Sequence, residues 1–357
     1  MSAREERAAL QKSGGAMSVV NRRWVLRVRP VGRPSPDCFA IEHDELTEPS
    51  AGEVLVRVRW VAIEAGRLNR LRDETSYVAP MQLGDTMSGT GVGEVIATGD
   101  PCFRPGDLVT GPLNWQEFAL VPAETLERNA TGSLAPSTAL GLLGISGLTA
   151  YIGLHAVGRP RAGETVLISA AAGSVGLIAG QLAALHGCRV VGLTSTDEKA
   201  RRLVSEYGYT DAVDYRSVID LTDAIRAAAP EGVDVYFDNV GGTIAGSVLP
   251  LYNDFARIVV CGRINSFHLS DTRNDIGQRD NNTILIRRIR KEGFLVFDHL
   301  ADTERIASIR SEIQSLAAHR SLTLPVRTSH GFESFPAAMT DLLEGRNFGQ
   351  QLVELNA

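Results

Sequence analysis

"SAAAGSVGLIAGQLAALHGCRVVGLTSTDEK", residues Ser169 to Lys199, reads as a strand end, a glycine turn, a helix that stops at Gly187, and a second strand. A dinucleotide site uses three glycines here: one for the tight turn, one for approach to the pyrophosphate, one for close packing of helix on strand. Ala171 stands at the first of these places, while Gly173 and Gly176 keep the second and third. Alone, A-x-G-x-x-G is a weak signal. Between the buried-type strands "ETVLIS" and "CRVVGLT" it becomes a strong one. The helix starting near Ser174, with Ala172 and Val175 beside it, is expected to aim its N-terminal N–H groups at the pyrophosphate. The alternative is a tight strand–helix turn with no ligand.

The end of the second strand chooses the dinucleotide. An NAD site places Asp or Glu about 20 residues beyond the fingerprint, on the ribose hydroxyls. That place holds Leu193, Thr194 and Ser195, with no charge to repel a phosphate. Lys199 follows, and Tyr215 and Arg216 close the next strand near the same pocket. Asp197 and Glu198 suit the positive end of a helix. NADPH is the expected cofactor; the other reading of Lys199 is a solvated helix face.

The frame around this stretch is that of a globular protein. At 357 residues, two domains are expected. Hydrophobic residues are 44% and charged residues 22% of the chain. A net charge of -6 argues against nucleic acid, and the local basic run "IRRIRKE" reads as a charged strand or helix face. No apolar run reaches the roughly 20 residues of a membrane span. Cys38, Cys102, Cys188 and Cys261 are scattered, which suits reduced thiols and a cytoplasmic location. Residues 1–16, charged and then Gly-rich, are expected to be a disordered extension.

Before Leu134 the pattern is β-rich: "NRRWVLRVRP" and "GEVLVRVRWVAI" alternate at period two, and short segments broken by Gly and Pro follow. "STALGLLGISGLTAYIGLHAVG" has helical spacing, with Pro136 and Ser137 as its expected start. Strand and helix then alternate through "DEKARRLVSEYG", "DAVDY", "LTDAIRAAAP", "GVDVYFDNV" and "FARIVVCG". Such alternation builds a doubly wound parallel sheet of Rossmann type. "GFLVFDHL" reads as a late apolar edge strand, and "QQLVEL" as a strand returning to the first domain. The expected division is an α/β Rossmann domain over 138–316 and a discontinuous β-rich domain over 17–137 and 317–357.

No metal site is expected. Cys38, His43 and Cys102 stand in no ligand spacing, and "GDTMSGTGVGEV" has no histidine. No G-x-S-x-G nucleophile elbow lies between a strand and a helix.

The motifs "SYVAPMQLGDTMSGTGVGEV", "GISGLTAYIGL", "AAAGSVG", "STDEK", "YFDNVGG", "FARIVVCG" and "GRNFGQ" follow one another in an order that resembles the zinc-independent medium-chain dehydrogenase/reductases. The likeness is to their prostaglandin reductase, alkenal/one oxidoreductase and curcumin reductase branch, over roughly Met17 to Ala357. It implies that the β-rich part is a GroES-like catalytic domain and that Gly173 to Gly176 hold the pyrophosphate. It implies further that Lys199 and Tyr215 bind the 2′-phosphate, with Thr194 and Ser195 alongside. Asn239 and the Cys261–Gly262 turn would lie along the ribose and nicotinamide, Phe294, Leu295 and Val296 at the nicotinamide end, and Asn347 would reach back to the cofactor. From the residues alone, "DNVGG" also reads as a helix cap and turn.

The same resemblance implies reduction of the C=C bond of α,β-unsaturated ketones or aldehydes, hydride going to the β-carbon while an enolate forms. Two segments depart from the family: Phe267 stands where a tyrosine is usual, and Glu64, Ala65, Gly66, Arg67 and Leu68 replace a segment close to Asp-Pro-Tyr-Met-Arg. Candidates for the enolate's donor are Tyr77, Tyr151, Arg263, His268 and the cofactor's own ribose hydroxyl, which is expected to do most of the work. The alternatives are a quinone oxidoreductase, a biosynthetic enoyl reductase, and a catalytically silent NADPH-binding protein. A small-molecule substrate and a homodimer are the expected partners.

Overall fold

The computed structural model describes residues 10–13, 16–73, 76–265, 269 and 280–355. Two compact units result: Met1–Leu140 with Arg327–Arg346 and Gln351–Ala357, and Gly141–Val326 with Asn347–Gln350.

The first unit opens with β1 (Leu10–Ser13), β2 (Ala16–Leu26) and β3 (Phe39–Thr47), joined antiparallel in a three-stranded sheet. β1 is a correction: residues 10–13 pair with β2 instead of belonging to an unstructured extension. The strands β4 (Glu53–Ala62), β5 (Gly91–Thr98), β6 (Leu108–Gly111), β7 (Phe118–Pro122) and β8 (Glu127–Arg128) follow. Val54, Leu55 and Val56 are all buried, a departure from half-buried alternation. β4 is an interior strand, with β5, β7 and the chain's last strand as antiparallel partners.

A 3-10 helix closes this part of the first unit, and the second unit begins at Gly141. Pro136 and Ser137 start a 3-10 helix, Pro136–Leu140, and the α-helix waits until α1 (Ile145–Ile152), which runs on into a π-helical turn, Gly153–Gly158. Then β9 (Thr165–Ile168), α2 (Ser174–Leu185), β10 (Arg189–Thr194), α3 (Asp197–Glu206), β11 (Asp211–Asp214), α4 (Leu221–Ala228) and β12 (Val233–Asp238) alternate. α5 (Gly242–Val248), β13 (Tyr252–Val260), α6 (Asn281–Arg287) and β14 (Arg290–Gly293) complete the sheet, and α7 (Thr303–Ala318) follows. All five pairings are parallel, in the order β11-β10-β9-β12-β13-β14. That is the doubly wound Rossmann order, whose direction reverses between β9 and β12. Val166, Leu167, Ile168, Val235, Tyr236 and Phe237 are fully buried, as strands covered on both faces should be.

"GFLVFDHL" is not the edge strand. The edge is the charged "RKEG" of β14, and Val296–His299 is a 3-10 helix. Among the described residues β14 pairs only with β13, an edge position where charged side chains serve better than apolar ones.

β15 (Val326–His330), α8 (Phe335–Leu343) and β16 (Gln350–Glu354) end the chain, and the first unit's larger sheet runs β15-β16-β4-β5-β6-β8. The units divide at Leu140 and Val326, not at 137 and 316, so all of α7 belongs to the Rossmann unit. Asn347–Gln350 belongs to it too.

Candidate functional site

In an open α/β sheet, ligands bind outside the carboxyl ends of the strands, where the winding direction reverses. Here that is the space beyond Ile168 of β9 and Asp238 of β12. The chain continues from β9 through a tight turn. Ala170 takes φ +49, Ala171 donates its N–H to Leu193 O at 3.0 Å, and Gly173 donates to Ala170 O at 2.9 Å.

Ala171 fits where the fingerprint asks for glycine because Gly192 of β10 faces it. A Cβ on Gly192 would stand 2.9 Å from the Ala171 Cβ. Gly176 keeps its expected role: a Cβ there would stand 2.5 Å from Ala170 O and 2.9 Å from Ala171 Cα. Leu177 is the first residue of α2 to reach an acceptor one turn back, Gly173 O at 2.9 Å. The N–H groups of Ser174, Val175 and Gly176 therefore have no carbonyl of their own helix to bond and suit an anion.

At the end of β10, Thr194 and Ser195 are buried and uncharged. Thr196 caps α3, its hydroxyl accepting from the Lys199 N–H at 3.3 Å. Lys199 is thus in the first turn of α3 and half-buried. Asp197 is turned to Arg201, 3.0 Å away on the exposed helix face. Tyr215, after β11, donates its N–H to Thr194 O at 3.0 Å, which holds it beside the end of β10. The Arg216 guanidinium lies 5.8 Å from the Tyr215 ring centre.

The far side of the reversal is built on Asp238. Its Oδ1 accepts from Ser169 Oγ (3.2 Å), Tyr236 Oη (3.0 Å), Val240 N (3.0 Å) and Gly241 N (2.8 Å). Its carbonyl accepts from Cys261 N (2.9 Å) and Gly262 N (3.0 Å). Asn239 is tied across the sheet, donating Nδ2 to Ser169 O at 2.7 Å and its N–H to Ser169 Oγ at 2.9 Å. A Cβ on Gly262 would come within 2.9 Å of Asn239 O, so these turns touch. Burial, with the Asp238 carboxylate, pushes the Cys261 thiol up to about 12, so it stays a neutral thiol.

Asp238 and Ser169 were missed among the candidate residues. "YFDNVGG" drew attention to Asn239 and its glycines, although an acid ending a buried strand is itself a signal for a local donor cluster.

Other candidates are more scattered. Phe294 packs over the π-helical turn, where a Cβ on Gly153 would come 2.6 Å from its Cζ and 2.8 Å from Phe237. Leu295 and Val296 lead into the 3-10 helix Val296–His299. Asn347 is buried, and its Nδ2 donates one N–H to Gly349 O at 2.9 Å. Arg263 is exposed, three residues beyond β13. Tyr77 belongs to the first unit, where its hydroxyl donates to Gly66 O (3.4 Å) and accepts from Asn69 Nδ2 (3.2 Å). The departing segment beside it is a 3-10 helix, Ala65–Leu71, in which Arg67 bonds Glu64 (3.2 Å) and Thr90 (2.8 Å).

Tyr151 is a correction. Its hydroxyl donates to Glu312 of α7 at 2.7 Å, and its ring lies 4.6 Å from that of His155. His155 in turn lies 5.9 Å from His186, which caps the C-terminal end of α2, opposite the glycine turn. Burial, then the Glu312 hydrogen bond and charge, push the Tyr151 hydroxyl up to about 12. It is a brace between α1 and α7. Phe267 and His268 lie outside the described residues.

Among the described residues no group of three or more His, Cys, Asp and Glu side chains is placed to hold a metal ion. Nor is any helix of the described residues long and apolar enough to cross a membrane. The four cysteines are free thiols.

Comparison with known proteins bears on the same residues. A family described as "N-terminal domain of oxidoreductase" matches residues 22–128, and one described as "Zinc-binding dehydrogenase" matches 174–311. The chain is 35% identical over 343 residues to an NADP(+)-dependent 2-alkenal reductase of Nicotiana tabacum, covering 95% of this chain and 98% of that one. It is 34% identical over 337 residues to the NADPH-dependent curcumin reductase of Escherichia coli, covering 94% and 97%. The crystal structure of CurA from Vibrio vulnificus in complex with NADPH aligns with a TM-score of 0.88 at 31% identity, over 94% of this chain and 99% of that one.

Proposed function

Because the chain belongs to the zinc-independent medium-chain dehydrogenase/reductases, in the branch of the prostaglandin, 2-alkenal and curcumin reductases, we propose that this oxidoreductase uses NADPH to reduce the C=C bond of α,β-unsaturated ketones or aldehydes. The observation that carries the cofactor is the end of β10. Thr194 and Ser195 are buried without charge, and a capped helix follows with Lys199 in its first turn. An acid there would repel a 2′-phosphate; a lysine attracts one.

When bound, NADPH supplies the hydride for the β-carbon. The chain's own residues do the rest. Ser174, Val175 and Gly176 present N–H groups to the pyrophosphate, and Lys199 and Tyr215 hold the 2′-phosphate end. Asn239 and the Cys261–Gly262 turn, locked by Asp238, give the ribose and nicotinamide a rigid wall. Reduction builds negative charge on the substrate's carbonyl oxygen, and donors aimed at it lower the barrier by roughly 3 kcal/mol each. Arg263, charged and placed just past β13, is one candidate for that role beside the cofactor's ribose hydroxyl. A water molecule suffices to protonate the α-carbon, so no acid/base pair is needed.

The test is initial-rate oxidation of NADPH and of NADH with a simple aryl enone and with a benzoquinone. Fast NADPH consumption giving the saturated ketone is expected. Turnover of the quinone alone, or none with either acceptor despite tight NADPH binding, overturns the substrate assignment. Replacing Lys199 by Ala is expected to weaken NADPH binding about 10- to 100-fold, the worth of one charge-assisted hydrogen bond. NADH binding should not change. Equal losses for both would place Lys199 elsewhere.

A homodimer is part of the same reading. Leu285 and Ile286 of α6, the helix that precedes β14 in the chain, are 75% and 55% exposed. Light scattering should give twice the chain mass; a monomer rejects it.

A further inference from the structure

Four residues, Asn347–Gln350, belong to the Rossmann unit although the chain on either side belongs to the other. Their backbone is stitched to the glycine turn. Gly349 N–H donates to Ala172 O at 2.8 Å, Gly349 forms a parallel bridge with Gly173, and Gln350 N–H donates to Pro325 O at 2.9 Å. Ser146 Oγ stands within hydrogen-bond distance of both Ser174 Oγ (3.1 Å) and Gln350 Oε1 (3.4 Å), so the two strands of the seam share a side-chain link. Gly349 has φ +77, and a Cβ there would stand 2.1 Å from Pro325 O. The fit allows no slack.

Backbone bonds alone do not say what keeps so short a segment in register. The side chain just before Gly349 does. The Phe348 ring has the Arg202 guanidinium 4.0 Å from its centre and the buried Tyr207 ring 5.4 Å away. Arg202 is itself held in a fork by Glu206, with Nε–Oε1 and Nη2–Oε2 both at 3.1 Å. Phe348 is therefore gripped by a cation fixed in one rotamer and by an aromatic face. The grip belongs to α3, the helix whose first turn carries Lys199.

We propose that Phe348, clamped by Arg202 and Tyr207, is a positioning residue for NADPH: it latches Gly349 onto Ala172 and so fixes the peptide plane from which the pyrophosphate-binding N–H groups follow. This rests on the reading that the glycine turn holds the cofactor's pyrophosphate. It differs from the role of Lys199 in what it touches. Lys199 acts on the 2′-phosphate, which NADH lacks, whereas the latch acts on the pyrophosphate, which both cofactors share. Binding linkage runs both ways: if the latched turn binds NADPH better, NADPH must hold the latch shut more firmly.

The experiment measures binding of NADPH and of NADH by fluorescence titration in the full chain, and hydrogen exchange at the Gly349 amide. Phe348→Ala is expected to weaken both cofactors by the same factor, about 10-fold. Arg202→Met, which keeps a long apolar stem on a part-exposed helix face, should weaken both about 2- to 5-fold, the scale of one cation–π contact. Phe348→Tyr keeps the ring and should restore wild-type binding. In the wild type, Gly349 exchange should slow on adding NADPH, and both weakening variants should speed it in the free protein. Unchanged binding of both cofactors in Arg202→Met and Phe348→Ala overturns the proposal, as does a loss confined to NADPH. Should the wild type bind neither cofactor, the cofactor reading fails instead, and exchange at Gly349 in the free variants still decides whether the latch exists.

Discussion

Replacing Asp238 by Ala is expected to be the most destabilising single change in the Rossmann unit. One carboxylate oxygen serves four donors from Ser169, Tyr236, Val240 and Gly241, and the residue is only 5% exposed. Water cannot replace it freely. A buried donor left without an acceptor costs about 1–3 kcal/mol, and the fully buried Tyr236 hydroxyl donates to this oxygen. With the two N–H groups of Val240 and Gly241 also released, a loss of about 3 kcal/mol or more follows, lowering the unfolding midpoint by roughly 6 °C or more. Asp238→Asn keeps an acceptor oxygen in the same place and should fall between the two. A double variant, Tyr236→Phe with Asp238→Ala, removes the stranded hydroxyl and should recover part of the loss, a coupling that a thermal melt of the cycle reads directly. Additive effects would mean that Tyr236 is satisfied without Asp238. NADPH affinity should drop in Asp238→Ala as well, since the carboxylate fixes the Val240 and Gly241 N–H groups and the Ser169 hydroxyl that accepts from the Asn239 N–H.

How much of this was legible beforehand depended on whether a residue acts through local pattern or through distant partners. The order strand, glycine turn, helix, strand over Ser169–Lys199 is local, and β9, α2, β10 and α3 stand where it put them. Thr194, Ser195 and Lys199 could be chosen because their spacing from the glycines is set by one helix and one strand. Tyr151 was misjudged for the opposite reason. Its partner Glu312 is 161 residues away, and no local pattern announces that the hydroxyl is already bonded. "GFLVFDHL" misled because an apolar run fits a buried strand or a buried turn of helix equally well. Periodicity cannot tell that the three charged residues just before it, Arg290, Lys291 and Glu292, would take the strand. The role of Ala171 was half legible: its departure from glycine was plain, but the compensating Gly192 lies on the next strand, and only the packed sheet brings the two together.

The same close packing makes Gly176→Val the substitution expected to abolish cofactor binding. A Cβ at 176 meets backbone on the sheet side, Ala170 O at 2.5 Å, Ala171 Cα at 2.9 Å and the Ala170 carbonyl carbon at 3.1 Å, so no side chain can swing aside to admit it. Ala170 already sits at φ +49, a region that costs an L-residue about 1–2 kcal/mol, and has little freedom left to yield. The helix cannot simply lift away either. The Tyr209 ring fills the gap between Gly180 of α2 and Gly192 of β10, and its hydroxyl donates to Gly176 O at 2.8 Å. Lifting α2 would empty that space and strand a buried phenol. Overpacking of this kind costs about 1–3 kcal/mol and, more to the point, displaces the first turn of α2 by a few tenths of an ångström or more. Three N–H groups aimed at one anion lose their common focus under such a shift. Gly176→Val should therefore bind neither NADPH nor NADH measurably, with a lowered but cooperative thermal transition, and Gly176→Ala should lie between it and the wild type. Retention of NADPH affinity within twofold in Gly176→Val would mean that the pyrophosphate is held somewhere other than the turn between β9 and α2.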